Sequence, residues 1–236
     1  MPRLLVFPIE GVPEVRSGDV LADLLATAAQ AQGTPFEPLD CLVVTQKVVS
    51  KAEGRVVPLD ASDPAARRAL IESESARVLR RRDELVISET HHGFVCANAG
   101  VDLSNIDDGH AALLPVDPDR SARRIRDGIR ANTGVDVAVI VSDTFGRAWR
   151  IGLTDVAIGV SGLAAVVDLR GQSDAHGREL QVTEIALADE IAGAAELVKG
   201  KAAQVPAAVV RGLDPGWFRD GTARELVRPP GEDLFR

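Results

Sequence analysis

Tyrosine is absent from this chain, and aromatic residues of any kind are scarce, with six Phe and two Trp in 236 positions. The core must therefore be built from Ala, Val, Leu and Ile, and a stacking platform for nucleic-acid bases is not expected. Cysteine is nearly absent as well. Cys41 and Cys96 form no C-x-x-C pair and are too few for a disulfide framework, which predicts two buried, reduced thiols. No apolar run reaches membrane-spanning length; the longest, residues 156–167, is broken by two Gly and one Ser. Pro8 and Glu10 interrupt the N-terminal segment too early for a secretory signal. A soluble, cytoplasmic protein without a membrane partner is the expectation. Positive charge is also short, 27 Lys plus Arg against 35 Asp plus Glu, for a net charge of −8. That balance excludes a broad nucleic-acid footprint and leaves room only for a local basic pocket.

What is present is the pattern of a mixed α and β domain. Short β-branched runs predict strands at residues 42–45, 85–87, 135–141, 156–160, 164–169 and 207–210. Helices are predicted over residues 19–32, 64–82 and 184–199, and from Asp117-Pro118-Asp119 onward, where an N-cap, a first-turn proline and an acid coincide. The fold class expected is α+β, with several short sheets. Residues 1–228 read as one domain and residues 229–236 as a tail.

Polar residues gather at four predicted strand ends, where open α/β sheets bind ligands. Residues 46–55 contain Lys47 and Lys51, two of only four lysines in a chain with 23 arginines. Four residues apart, they share a face if helical, and a lysine is a compact charge suited to phosphate oxygens. A solvated helix start explains them equally. Residues 98–105 set Asp102 and two asparagines around Gly100, which suits either a plain turn or a hard cation beside a nucleotide. Asp143 and Thr144 follow an apolar strand and precede Gly146, Arg147 and Arg150. Asp143 there fits a magnesium ligand and the arginines fit a substrate anion, with a β-turn as the bland reading. The fourth place, residues 168–179, contains His176, and no pair of the four histidines has zinc spacing. No G-x-x-x-x-G-K-[ST], G-x-G-x-x-G or G-x-S-x-G occurs, so a nucleotide would be bound outside the common folds.

Taken in order, Phe7-Pro8-Ile9-Glu10-Gly11-Val12-Pro13, residues 50–55, Asn98 to Asn105, Leu113-Leu114-Pro115, Asp143 to Arg147 and Val209-Val210-Arg211-Gly212 resemble the coenzyme F420-0:L-glutamate ligase family. The resemblance spans nearly the whole chain. It implies a GTP-dependent amide ligase that activates the terminal carboxylate of F420-0 as an acyl phosphate. The amine of L-glutamate then attacks, giving the γ-glutamylated coenzyme, GDP and phosphate. It implies Mg or Mn, stimulation by potassium, and an intertwined homodimer. Carried over residue by residue, it makes Asp102, Asp143 and Thr144 metal ligands. Val12, Pro13, Glu14, Val15, Gln46, Lys47, Lys51 and Asn105 become GTP contacts, with Asp143, Arg147 and Lys51 the catalytic candidates. The chain departs from archaeal members at residues 199–206, where an acidic, glycine-rich loop has no carboxylate counterpart and Lys201 could replace its charge. The tail resembles a linker into a flavin-binding domain.

Two other classes use the same residues. A GTP-dependent phosphotransferase would need the metal and lysines but no amine. A non-catalytic nucleotide-binding module would need the lysines and Asn105 but not two metal carboxylates. In each case polyanions must bind to a protein of net charge −8. A basic cleft of Lys47, Lys51, Arg147 and Arg150 is therefore expected between Gln46 and Asp143.

Overall fold

A strand such as Leu42-Val43-Val44 has no polar face and is stable only when covered on both sides. The computed structural model, which describes residues 3–104, 106–200 and 203–234, covers it in that way. The elements run β1 (Leu5–Ile9), α1 (Leu21–Ala31), β2 (Cys41–Thr45), α2 (Gln46–Ala52), β3 (Val56–Pro58), α3 (Pro64–Ser73), β4 (Ser75–Arg82), β5 (Leu85–Thr90), β6 (Val95–Ala97), β7 (His110–Ala112), α4 (Pro118–Thr133), β8 (Ala138–Arg147), β9 (Arg150–Ser161), β10 (Val167–Asp168), β11 (Glu184–Ile185), α5 (Leu187–Lys199) and β12 (Ala207–Arg211). The class is α+β, as expected from the sequence.

A five-stranded sheet of order β1-β12-β2-β8-β9 forms the centre. Only β2 and β8 are parallel; the other neighbours run antiparallel. Side chains alternate between its faces. Leu42, Val44, Val139, Val141 and Val209 pack under α1 and α4. Cys41, Val43, Ala138, Ile140, Ala208 and Val210 pack under α5. Each fully buried Leu, Ile or Val stabilises the fold by about 1.5–3 kcal/mol, which lets an aromatic-poor core suffice. Helix α4 docks tightly: a Cβ on Gly159 of β9 would lie 2.3 Å from the Pro118 carbonyl oxygen, so only glycine fits there. Its N-terminus is capped as the sequence predicts, with Asp117 Oδ1 accepting from the Arg120 N–H at 2.9 Å, and its C-terminus closes on Gly134, left-handed at φ 74°.

Three expectations need correction. The helix expected over residues 64–82 stops at Ser73, and residues 75–82 form edge strand β4 against β5. Arginine favours helix in isolation, but here Arg77 pairs with Glu89 across the ladder and tertiary pairing overrides propensity. The strand expected to end at Val141 continues through Asp143 to Arg147, so those residues lie on a hairpin arm and not in a turn. A register shift after Val141 and the β-prone Thr144 and Phe145 keep the ladder going. Of residues 164–169 only Val167–Asp168 pair, with Glu184–Ile185, so the last helix begins at Leu187. Beside the central sheet lie a three-stranded sheet, β4-β5-β6, and the small pair β3-β7.

Candidate functional site

Topology brings four distant segments to one end of the central sheet. Because β2 and β8 are parallel, Thr45 at the end of β2 sits beside Ser142 of β8. Strand β12 starts there, and the Thr45 N–H donates to the Pro206 carbonyl at 2.9 Å. Strand β1 leaves at that end too, with Ile9 opposite Ala207. Residues 12–15, 45–51, 142–144 and 203–206 thus become neighbours.

Two cavities open between them. The first, about 490 Å³, is lined by Val12, Pro13, Glu14, Val15, Lys47 and Lys51, and further in by Asp155, Glu196 and Lys199. The second, about 610 Å³, is lined by Gln46, Lys47, Asp102, Ser104, Asp143 and Thr144. Thr45 and Lys47 line both, so the two spaces meet at the β2–α2 junction.

Helix α2 follows β2 without a loop, which fixes Gln46, Lys47 and Lys51. Gln46 is 1% exposed, and its Oε1 lies 2.8 Å from Ser50 Oγ, which also lies 2.6 Å from the Leu113 carbonyl. The carboxamide nitrogen has no partner among the described residues. Whichever way the amide is turned, one end is anchored on Ser50 and the other is left for a ligand. Lys51 pairs with the exposed Glu14 across the first cavity. Arg55 is structural: it donates to Leu114 O at 3.1 Å and pairs with Glu74 at 2.7 Å.

Asp102 is held by its backbone, which exchanges two hydrogen bonds with Ala112. The approach to it is strained. Asn98, Ala99 and Gly100 all have positive φ, and a Cβ on Gly100 would meet Leu114 at 2.7 Å. Asp102 Oδ1 accepts from the Ser104 N–H (2.7 Å) and lies 2.8 Å from its hydroxyl. Oδ2 meets the Lys47 ammonium at 3.0 Å, and that ammonium also lies 2.9 Å from Ser104 Oγ. Burial works against the charge, but the Ser104 amide and Lys47 outweigh it and hold the carboxyl below its ordinary range.

On the opposite wall Asp143 Oδ1 accepts from the Thr144 N–H at 2.8 Å. Thr144 Oγ1 donates to Asp155 Oδ1 at 2.6 Å. Asp155 is 3% exposed, and its Oδ2 receives Ser142 Oγ and Lys199 Nζ, each at 3.0 Å. Burial opposes the Asp155 charge, yet Lys199 and the two hydroxyls hold it below the usual range. Sequence reasoning missed Asp155 and Lys199 as site residues. Lysine scarcity was a usable signal, since Lys47, Lys51 and Lys199 all line the first cavity. Cys96 also lines the second cavity; burial, helped by the Asp143 charge, pushes its thiol up to about 12, so it stays protonated.

The sequence candidates therefore fall as follows. Val12 to Val15, Lys47 and Lys51 line the first cavity; Gln46, Lys47, Asp102, Asp143 and Thr144 line the second. Asn105 lies outside the described residues, as does Lys201, though Ser104 and Ile106 reach the second and first cavities respectively. Arg147 and Arg150 are exposed on the hairpin and line neither cavity. A cavity does join Gln46 to Asp143, but the expected basic character is not there. Lys47 is its lining cation, set against Asp102 and Asp143, and in the first cavity Lys47, Lys51 and Lys199 face Glu14, Asp107, Asp155 and Glu196. Two carboxylates and a hydroxyl in one cavity form an all-oxygen donor set that fits Mg or Mn. No group of three His, Cys, Asp or Glu among the described residues closes around one point.

The described residues form an α+β protein with lysines and acids around two neighbouring polar cavities. The family described as F420-0:gamma-glutamyl ligase matches residues 11–212, and the chain belongs to that family. It is 43% identical over 245 aligned residues to the coenzyme F420:L-glutamate ligase of Methanothermobacter thermautotrophicus, covering 97% of each chain. It is 42% identical to that of Methanopyrus kandleri, over 100% of this chain and 99% of the relative, and 40% identical to that of Archaeoglobus fulgidus, over 99% and 97%.

Proposed function

We propose that this protein is a ligase that joins L-glutamate to F420-0, with GTP as the activating co-substrate and Mg or Mn, aided by K+, as cofactors. The observation that carries this reading is the junction of two cavities at Lys47, one lined by residues 12–15 and Lys51, the other by Asp102, Asp143 and Thr144. GTP occupies the first cavity. Its phosphates run over Lys47 and Lys51 toward the second, and Gln46 and Asn105 complete the contacts. Asp102, Asp143 and Thr144 would hold the cation, which would supply charge neutralisation on the phosphates. The Lys47 ammonium, 3.0 Å from Asp102, could then meet phosphate instead of that carboxylate.

In the reaction a carboxylate oxygen of F420-0 attacks the γ-phosphorus of GTP. The bond from that phosphorus to the β,γ-bridging oxygen breaks, releasing GDP and leaving an acyl phosphate. The neutral amine of glutamate adds to the acyl carbon, loses a proton to solvent or base, and expels phosphate as the C–O bond breaks. Lys51 and Lys47 stabilise charge on the transferring group. Arg147, on an exposed arm, would meet substrate anions from across the subunit boundary of a homodimer. Ile151 (102% exposed) and Leu153 (68%) at the hairpin tip are the apolar surface such a dimer would cover. Among the described residues no helix is long and apolar enough to cross a membrane; the proposed place of work is the cytoplasm.

The test is incubation with GTP, Mg, F420-0 and L-glutamate, read by mass spectrometry. A gain of one glutamyl unit with release of GDP and phosphate is the expected result. A phosphorylated product that needs no amine would make the protein a phosphotransferase, and nucleotide binding without turnover would make it a binding module.

A further inference from the structure

Eight aromatic side chains occur in this protein, and three of them, Phe94, Phe145 and Trp149, line a third cavity of about 860 Å³. It lies between β4, the turn from β5 to β6, and the β8–β9 hairpin. Phe94 and Phe145 meet edge to face with centroids 6.4 Å apart, and His92 stacks on Phe94 at 5.6 Å. Leu79, Ile87 and Val156 supply further apolar wall. This gathering was not legible from composition, which only counted the rings.

The rim is cationic. Arg77 is committed to Glu89, but Arg80 donates only to the neighbouring Leu79 carbonyl, and Arg228 makes no ion pair among the described residues. The cavity's two acids are Asp189, whose Oδ1 accepts from the Ala157 N–H at 2.8 Å, and Asp233. Phe145 lines both this cavity and the one containing Asp102 and Asp143, so the two are neighbours on either side of that residue. Such a volume, mostly apolar with a few charged groups at its edge, suits a fused-ring small molecule carrying an anionic arm.

We infer that this cavity receives the fused-ring deazaflavin end of F420-0, with Arg80 and Arg228 facing its phosphodiester and its carboxylate reaching past Phe145 to the Asp143 cavity. The inference rests on the function proposed above and extends it to the acceptor's own subsite. Charge complementarity favours this occupant over a second copy of the chain, since an apolar interface would leave Arg80 and Arg228 to be desolvated unpaired.

Binding of F420-0 in the absence of GTP and glutamate, followed by the ligand's own fluorescence, tests it. Arg80→Glu and Leu79→Glu are each expected to weaken F420-0 by about tenfold or more. GTP affinity by calorimetry and the melting temperature should be unchanged, and Leu79→Met should bind as wild type. Should Leu79→Glu not fold, Leu79→Gln serves in its place. F420-0 affinity unchanged in the glutamate variants overturns the inference, as does a wild-type protein that does not bind F420-0. Variants that shift the sedimentation-determined oligomeric state while keeping F420-0 affinity also overturn it, and make the cavity an interface between copies. Turnover is read separately: a wild type that binds F420-0 here yet adds no glutamate removes the ligase reading and leaves this subsite standing.

Discussion

The two ends of the central sheet use the same kind of interaction to opposite effect. At the closed end Arg211 grips Asp40 with two hydrogen bonds, Nε to Oδ1 at 2.8 Å and Nη2 to Oδ2 at 2.9 Å, and Asp40 is fully buried. Arg211 also stacks over Phe7 at 5.2 Å and pairs with Glu37. At the open end Lys47 meets Asp102 through a single ammonium at 3.0 Å, with side-chain exposures of 17% and 29% and a cavity on either side. A planar fork locked on a buried carboxylate is a clamp. A rotatable ammonium on a half-exposed carboxylate is exchangeable, and both partners can be taken over by a ligand. One partner of each pair, Arg211 and Asp102, lies in a motif that carries the family resemblance, so a shared motif does not by itself mark a functional residue.

The largest expected effect is at the open end. Asp143→Asn should abolish turnover, because removing a charged cation ligand costs several kcal/mol of transition-state stabilisation and each ~1.4 kcal/mol is tenfold in rate. Its melting temperature should stay near that of wild type. A folded variant with wild-type rate would remove Asp143 from the site. Asp102→Asn should act similarly, and less than additively with the first.

Next comes Lys199→Met. With Asp155 and Lys199 only 3% and 2% exposed, removing the ammonium strands a buried carboxylate. The expected loss is about 3–5 kcal/mol in denaturant unfolding. A loss below about 1 kcal/mol would mean that Asp155 is satisfied without the Lys199 ammonium.

Arg211→Ala sharpens the comparison directly. It should lower stability by about 2–3 kcal/mol and leave kcat/KM unchanged in the folded protein. A kinetic defect there would show that the closed end takes part in function.

These two pairs also show what the sequence can disclose. Strand β2 was legible because a run apolar on both faces must sit in a covered sheet, and Asp143 because it follows such a run. Lys47 and Lys51 stood out in an arginine-rich chain. Asp155 and Lys199 did not, since one lies in a β9 strand and the other 44 residues later at a helix end, and only tertiary packing joins them. Strand β4 was misread because its arginines favour helix locally and are set in a strand by partners on β5. Arg147 and Arg150 followed an expected turn that the hairpin replaces with an exposed arm.

Lys51→Ala should weaken GTP about tenfold while changing stability by less than about 1 kcal/mol, since its partner Glu14 is exposed. Unchanged GTP affinity by calorimetry would return Lys51 to a solvated helix face.

The smallest effect is on pH dependence. Asp102 and Asp155 have folded-state pKa values below their unfolded ones, so their contribution is present above about pH 4 and lost as pH falls through the folded values. Asp119 and Asp189 are shifted upward by burial and act in the opposite sense. Acid unfolding of Asp155→Asn should therefore be less steep than that of wild type below about pH 4. An identical acid limb would place the sensitive carboxylate elsewhere.

The most direct test of the open end as a ligase site follows oxygen. F420-0 labelled with 18O in its terminal carboxylate is turned over with GTP, Mg and L-glutamate, and the released phosphate is analysed by mass spectrometry. Attack of that carboxylate on the γ-phosphorus carries one labelled oxygen into phosphate for each glutamyl bond formed. Phosphate free of label, with glutamate added, would contradict the acyl-phosphate route and the arrangement of the two cavities that supports it.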